Sequence, residues 1–258
     1  MKRHTLAVIA LTALIVAGAA VFLRAVLVPP ILMYHSIDYS DDRSNKLVVS
    51  PASFTRQMEF LKKRNYSVVP LAEMAALIRQ NKRIPPKTVA ITFDDGYENN
   101  FRYAYPVIKK YGFPVTMFVI TDFIGRQGFL SRSQILTMAR EGLVTIGSHT
   151  KTQPWLTGLD DAALREELVG SKQILEDMLQ DRVDLFCYPM GGYDAKVQRA
   201  VQQAGYTVAV ATNPGRARSP DDLYALKRLR ISNSSDNLAV FWFEISGFYT
   251  WVKEHRDD

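Results

Sequence analysis

The chain has 258 residues, of which 47% are hydrophobic and 22% are charged, a globular composition with room for one large domain or two small ones. Its single cysteine, Cys187, excludes an intramolecular disulfide. The net charge of +6 comes from basic residues spread along the chain without a nucleic-acid motif, so we expect no nucleic-acid partner. Such a charge also suits the neighbourhood of an anionic membrane or cell wall.

An uncharged, apolar stretch covers residues 5–23 and follows the basic pair Lys2 and Arg3. A helix of that length would span about 28 Å, close to the hydrocarbon thickness of a bilayer. We therefore predict an N-terminal hydrophobic helix within 1–28 that anchors the protein in the membrane, with the rest of the chain outside the cytoplasm. The alternative is a signal peptide cleaved near Ala17-Gly18-Ala19, which would leave a secreted protein.

Strands and helices alternate after the pair Pro29-Pro30, in a region that we assign to one domain, 29–258. Apolar runs predict strands at 31–34, 68–69, 88–93, 114–120, 143–146, 183–188, 207–211 and 226–231. Capping residues and apolar periodicity predict helices that begin at Pro51 and at 71–78, 98–110, 131–140, 160–179, 195–204 and 237–252. This alternation predicts an α/β fold, a distorted (β/α) barrel of about seven parallel strands.

Polar residues collect directly after three of these strands. Asp94 and Asp95 follow the strand 88–93, His149 follows 143–146, and the Pro-Met-Gly-Gly segment 189–192 follows 183–188. In a barrel the carboxyl ends of the strands meet on one face, where catalytic groups lie. Adjacent carboxylates point in different directions, so one can bind a metal while the other acts as a base, and histidine is a common metal ligand. Singly, the three motifs are equally consistent with an Asp-Gly turn, a structural histidine and an ordinary loop.

In this order the motifs resemble those of the polysaccharide deacetylases with a NodB-homology domain, carbohydrate esterase family four. The resemblance runs from about 31 to 249 and is carried by Leu32-Met33-Tyr34-His35, the helix around 54–61, and the segments 92–96, 113–119, 146–150 and 188–191. The early Tyr-His pair and the Tyr-Pro-x-Gly form are most similar to the branch that acts on poly-N-acetylglucosamine. The resemblance implies metal-dependent removal of N-acetyl groups from an extracytoplasmic polysaccharide that contains N-acetylglucosamine. It points to no obligate protein partner.

The resemblance also implies a role for individual residues. Asp94 corresponds to the general base, His35 to the general acid, and Arg228 to an arginine that orients the catalytic aspartate. The backbone N–H of Met190 corresponds to an oxyanion donor. The expected substrate contacts are Tyr188, Pro189 and Tyr193.

Asp95 and His149 correspond to two of three protein ligands of a divalent metal, expected to be zinc, with cobalt, nickel or manganese as alternatives. The third family ligand is the second histidine of His-Thr-x-x-His, but this chain has Gln153 at that position. An amide oxygen is a harder, neutral ligand that should hold zinc less tightly than an imidazole. Two hypotheses follow: an active deacetylase with an altered metal site, or a degenerate, non-catalytic or weakly catalytic member of the same fold that binds glycans.

Overall fold

The computed structural model describes residues 30–212 and 223–249, except 41 and 43, together with the isolated positions 12 and 18. The predicted hydrophobic helix within 1–28 therefore lies outside the described residues apart from those two positions, and so does the end of the predicted helix 237–252. Within the described ranges, no helix has the length and apolar character needed to cross a bilayer.

Short strands, most of them buried along their whole length, form the centre of the domain. In chain order they are β1 (Ile31–Tyr34), β2 (Ser36–Ile37), β3 (Val48–Val49), β4 (Ser67–Val68), β5 (Thr88–Phe93), β6 (Val115–Val119), β7 (Val144–Ser148), β8 (Leu185–Cys187), β9 (Val208–Val210) and β10 (Leu229–Arg230). Their near-continuous apolar runs are typical of parallel strands that are covered on both faces.

Helices lie between the strands, and several begin at the capping residues that the sequence predicts. They are α1 (Pro51–Lys63), α2 (Leu71–Arg79), α3 (Tyr105–Tyr111), α4 (Arg132–Arg140), α5 (Asp161–Arg165), α6 (Ser171–Leu179), α7 (Ala195–Gln203) and α8 (Leu238–Glu244). The side chain of Ser50 accepts from Ser53 N at the start of α1, and Asp160 accepts from Ala163 N at the start of α5. A π-helical turn, Glu166–Gly170, joins α5 to α6. The predicted helix 160–179 is therefore helical without a break, but it is π-helical rather than α-helical over these five residues.

The main sheet is parallel, with the order β10-β1-β5-β6-β7-β8-β9, and β4 pairs with the start of β5. Its two ends are joined by the segment 226–231. Leu226 exchanges backbone hydrogen bonds with Ala209 and Ala211 beside β9, whereas Ile231 N donates to Met33 O of β1. The prediction of a distorted barrel with seven parallel strands is confirmed.

Several details differ from the sequence prediction. The predicted helix 98–110 contains a π-helical turn, Asn100–Ala104, near its start and is α-helical from Tyr105 onward. The parallel pair β2–β3 was not predicted, because each strand has only two residues and carries no periodic signal. Strand β7 continues to Ser148, two residues beyond the predicted end, through Gly147. A Cβ atom at Gly147 would lie 2.6 Å from the ring of Phe118, so glycine allows β6 and β7 to continue side by side toward the site.

Candidate active site

The two adjacent aspartates lie at the carboxyl end of β5 and have different partners. Asp94 N donates to Tyr34 O at 2.9 Å, which continues the ladder between β1 and β5 up to this residue. Asp95 then takes a left-handed conformation, with φ of +70°, and turns the chain away from the sheet. Both carboxylates are buried. The sequence therefore places two carboxylates in separate environments within one turn.

Asp94 is held by Arg228, whose side chain is fully buried. Nη1 of Arg228 donates to Asp94 Oδ1 and Nη2 to Asp94 Oδ2, both at 2.7 Å, which is the bidentate geometry of a strong ion pair. The guanidinium also donates through Nε to Ala211 O, through Nη1 to Thr92 Oγ1 and through Nη2 to Cys187 Sγ. All five N–H groups of Arg228 thus have an acceptor.

This contact sets the charge of both partners. Burial alone would raise the pKa of Asp94, but the guanidinium of Arg228 outweighs burial and lowers the pKa to about 2. For Arg228 burial acts to lower the pKa, yet the Asp94 carboxylate raises it above its ordinary value. Asp94 is therefore an ionised carboxylate at neutral pH, as a proton acceptor has to be.

Asp95, His149 and Gln153 converge on the other side of the turn. The distance from Asp95 Oδ1 to His149 Nε2 is 3.4 Å, and Gln153 Nε2 donates to Asp95 Oδ1 at 2.7 Å. His149 Nδ1 lies 2.8 Å from Cys187 O. Because a carbonyl oxygen only accepts, Nδ1 carries a proton, and in the neutral ring Nε2 has the lone pair that a metal ligand requires.

The distance between Asp95 and His149 fits a shared metal ion. Two atoms bound to one zinc ion at about 2.1 Å in tetrahedral directions lie about 3.4 Å apart. Burial lowers the pKa of His149, but Cys187 and the Asp95 carboxylate outweigh burial and raise it well above its ordinary value. The site thus favours positive charge beside Asp95, and a divalent cation would replace the proton there.

A second group of three side chains also has the spacing of a metal site. Ligand atoms of Asp94, His149 and Cys187 lie within 4.8 Å of one another. However, both oxygens of Asp94 already accept from Arg228, and burial raises the pKa of the Cys187 thiol, which disfavours the thiolate that binds metals. The set with Asp95 is the better cation site, since its carboxylate has no guanidinium partner among the described residues.

His35 lies on the Asp94 side of the pocket, directly after β1. Its Nε2 atom is 4.0 Å from Asp94 Oδ2, and its buried Nδ1 atom has no hydrogen-bond partner among the described residues. Burial lowers the pKa of His35, although the carboxylates of Asp94 and Asp95 act in the opposite direction. The imidazole is close enough to the two carboxylates to exchange protons with a substrate bound between them.

The turn after β8 carries the remaining predicted residues. Met190 has φ of +53° and an exposed side chain, and its N–H belongs to the first turn of a 3-10 helix, where N–H groups have no partner within the helix. Gly191 follows with φ of +72°, and a Cβ atom there would lie 2.0 Å from Thr212 Oγ1. The turn therefore depends on glycine at this position.

The three predicted substrate contacts differ in their exposure. The side chains of Tyr188 and Pro189 are buried, and the hydroxyl of Tyr188 donates to Tyr224 O at 2.7 Å. Tyr193 is partly exposed and stacks on Tyr188, with 4.8 Å between the ring centroids. Of the three side chains, Tyr193 is therefore the one exposed enough to contact a polymer. Tyr188 and Pro189 are buried beneath the surface, and Tyr188 packs against Tyr193.

Sequence reasoning assigned no role at the site to Thr92, Glu167 and Cys187. Tyr97 lies beside Asp95, and burial together with that carboxylate raises its pKa to about 12. Glu167 accepts hydrogen bonds from the loop that carries Gln153. Nothing in the local pattern marks Glu167, because it lies within a helix fourteen residues after Gln153. Thr92 lies two residues before Asp94 and could have been found from that proximity.

The comparisons with known proteins agree with this arrangement. The family profile described as polysaccharide deacetylase matches residues 81–209, which contain Asp94, Asp95, His149, Gln153 and Met190. The chain is 37% identical over 203 residues to the Bacillus subtilis protein YxkH, which is named as a polysaccharide deacetylase, and the match covers 79% of this chain and 71% of that protein.

Two further proteins are similar over most of the domain. A crystal structure of a polysaccharide deacetylase from Bacillus cereus superposes with a TM-score of 0.74 at 33% identity, covering 84% of this chain and 68% of that one. A poly-β-1,6-N-acetyl-D-glucosamine N-deacetylase of Staphylococcus aureus is 24% identical over 208 residues, covering 75% of this chain and 71% of that protein. The barrel, the site at its strand ends and these similarities show that the chain belongs to the polysaccharide deacetylase family of carbohydrate-acting hydrolases.

Proposed function

We propose that this protein removes N-acetyl groups from an N-acetylglucosamine polysaccharide outside the cytoplasm, in a reaction that depends on a divalent metal. The observation that carries the proposal is the separation of the two aspartates. Asp94 is held ionised by Arg228, while Asp95 lies 3.4 Å from Nε2 of His149, the nitrogen that a metal would take in place of a proton. A site with one carboxylate for proton transfer and another beside an imidazole is suited to hydrolysis of an amide.

Asp95, His149 and Gln153 would hold the metal, and zinc, cobalt, nickel and manganese are the candidates. When bound, the ion would make the attacking water more acidic and polarise the carbonyl of the acetyl group. Gln153 is the weakest of the three ligands, because its amide oxygen lacks the charge of the Asp95 carboxylate and is a harder donor than the His149 imidazole. We therefore expect an affinity for zinc below that of a site with two histidines.

The remaining steps belong to residues of this chain. Asp94 takes the proton of the water, since its pKa of about 2 keeps it ionised at neutral pH. The N–H of Met190 stabilises the negative charge that develops on the carbonyl oxygen. His35, with Nε2 4.0 Å from Asp94 Oδ2, passes to the leaving amine the proton that Asp94 has taken from the water. Arg228 keeps Asp94 in one orientation during these transfers.

The substrate and the location rest on different observations. The similarity to the Staphylococcus aureus enzyme, named for poly-β-1,6-N-acetyl-D-glucosamine, favours a polymer of that class. The partly exposed Tyr193 and the exposed Trp155 offer aromatic faces beside the turn that carries Met190, and such faces stack on sugar rings. The apolar segment within 1–28 supports a position outside the cytoplasm, either anchored in the membrane or secreted.

The experiment uses the purified protein, stripped with a chelator and then reloaded separately with Zn²⁺, Co²⁺, Ni²⁺ or Mn²⁺. Acetate release from β-1,6-linked N-acetylglucosamine oligomers should appear only after reloading, and Asp94→Asn should reduce it by at least 100-fold, as expected for the loss of a general base. Release that survives removal of the metal would refute the proposal. If the oligomer binds but no acetate is released with any of the four metals, the glycan-binding alternative is favoured.

A further inference from the structure

The loop that carries Gln153 has an unusual backbone. Thr150 and Gln153 both have left-handed conformations, with φ of +66° and +62°, although neither is glycine. Such conformations cost about 1 kcal/mol or more at residues with a side chain, and they persist only where surrounding contacts hold them. His149, by contrast, is fixed by the end of β7 and by its contact with Cys187 O. Something other than the strand must hold the loop at Gln153.

One group that holds the loop is the carboxylate of Glu167, which is 8% exposed. Its Oε2 atom accepts from Lys151 N at 2.8 Å and from Thr152 N at 2.9 Å, and its Oε1 atom accepts from Thr152 Oγ1 at 2.6 Å. Three hydrogen bonds to one ionised group are stronger than the same number between neutral groups. They bind both residues between the two left-handed positions of the loop. Backbone hydrogen bonds from Thr121 N to Thr150 O and from Asp122 N to Lys151 O also fix the first half of the loop.

The position of Glu167 depends on the π-helical turn Glu166–Gly170, a local distortion often found near functional sites. Ser171, directly after this turn, lies 2.8 Å from Ser148 Oγ at the end of β7. The helix and the strand are therefore joined beside the loop. The neighbouring Glu166 is exposed, and its one ion pair among the described residues joins it to the side chain of Lys151, at 2.6 Å.

We propose that Glu167 is a positioning residue for the metal site: its carboxylate holds the 150–153 loop in a strained conformation that places Gln153 beside Asp95 and His149. This inference rests on the proposed function, because Gln153 is taken as the third metal ligand. Asp95 and His149 are each set by a strand end, so they keep their positions without Glu167. Gln153 is the ligand that depends on the loop, and it is also the weakest ligand.

The test measures metal affinity directly, by competition with a chromogenic chelator for Zn²⁺ and Co²⁺, in the full-length protein. Glu167→Ala should weaken the affinity by about 10–100-fold, the usual effect of removing a group that orients a ligand. The matched control is Glu166→Ala, which removes an exposed carboxylate from the adjacent position and should leave the affinity within about twofold, as expected for a surface pair. Glu167→Gln keeps an oxygen that accepts from Lys151 N and Thr152 N, and it should retain most of the affinity.

A second comparison, made in the Gln153→Ala variant, distinguishes a positioning role of Glu167 from a general structural role. In Gln153→Ala, the loop no longer carries a ligand, so adding Glu167→Ala should cause no further loss of metal affinity. If the double variant instead loses as much again, Glu167 does not act through Gln153 and the inference fails. If Glu167→Ala does not fold, Thr152→Val removes a single hydroxyl contact at an exposed position and decides the matter, with an expected loss of about threefold for one hydrogen bond.

The outcomes also distinguish the two proposals. A parent protein that binds and uses a metal, with equal affinities for Glu167→Ala and Glu166→Ala, overturns the role of Glu167 and leaves the proposed function intact. A parent protein that binds neither Zn²⁺ nor Co²⁺ overturns both. Full affinity of Thr152→Val together with full affinity of Glu167→Ala would show that the loop holds its conformation without the carboxylate.

Discussion

The pair Arg228–Asp94 gives the sharpest prediction for stability. Arg228→Met removes a guanidinium whose five N–H groups all have acceptors and leaves the Asp94 carboxylate buried without its partner. Breaking a buried pair in this way costs about 3–5 kcal/mol, mainly through the uncompensated charge. Because domains have unfolding free energies of about 5–15 kcal/mol, we expect this variant to be only marginally stable.

A double-mutant cycle measures how much of this loss comes from the unpaired charge. Asp94→Asn leaves the guanidinium buried without a carboxylate and should also destabilise by about 3–5 kcal/mol. The double variant contains neither charge, so its loss should be about 1–3 kcal/mol, well below the sum of the single losses. Urea unfolding followed by circular dichroism, in buffer with excess chelator, gives the four free energies of unfolding without a contribution from bound metal.

The pH dependence offers an independent check on the same pair. The pKa of Asp94 lies at about 2 in the folded protein, below its ordinary value of 3.8, so the group contributes about 2 kcal/mol of stability above pH 4. Because the folded pKa is the lower one, this contribution is lost as the pH falls from 4 toward 2. Arg228→Met should lack this part of the acid sensitivity. Additive losses in the cycle, or an unchanged acid transition in Arg228→Met, would show that the ion pair does not control the charge of Asp94.

Two further predictions concern the metal site and the turn after β8. Gln153→His restores an imidazole at the third ligand position and should tighten zinc binding by at least tenfold in a chelator competition; an unchanged affinity would show that Gln153 is not at that position. Gly191→Ala places a Cβ atom against Thr212 Oγ1 at a position with positive φ, so we expect a loss of about 1–3 kcal/mol in urea unfolding and a lower rate of acetate release. A variant with parental stability and rate would mean that the turn accommodates a side chain.

Much of the fold could be predicted because its signals are local. The run 88–93 is apolar and β-branched, and Ser50, Ser131 and Asp194 have side chains that cap the helices that follow them. The barrel followed from the alternation of such elements. The pair β2–β3 could not be predicted, since two-residue strands have no period and form only because residues 36–37 and 48–49 meet in the folded chain.

Candidate site residues could be predicted where they come directly after a strand in the sequence. Asp94, Asp95 and His149 do, and the structure brings them together as the barrel requires. The residues that hold them are far away in the sequence: Arg228 is 134 positions from Asp94. The sequence marks Cys187 only as the single cysteine, but in the fold its sulfur accepts from Arg228 and its carbonyl oxygen accepts from His149. No local pattern encodes such contacts, since they exist only after the strands have closed into a barrel.

The contrast between strand ends and loops also bears on Gln153, the proposed third ligand. A ligand fixed by a strand end would leave a gap if its side chain changed, because the backbone there cannot move. Gln153 lies instead on a loop, and the amide reaches Asp95 at hydrogen-bond distance with the backbone in a left-handed conformation. The side chain that differs from the family pattern therefore still reaches Asp95, provided that the loop is held. Metal affinity in this protein should accordingly depend on the contacts of the loop as much as on the ligands themselves, and variants of Glu167 and Gln153 should be coupled.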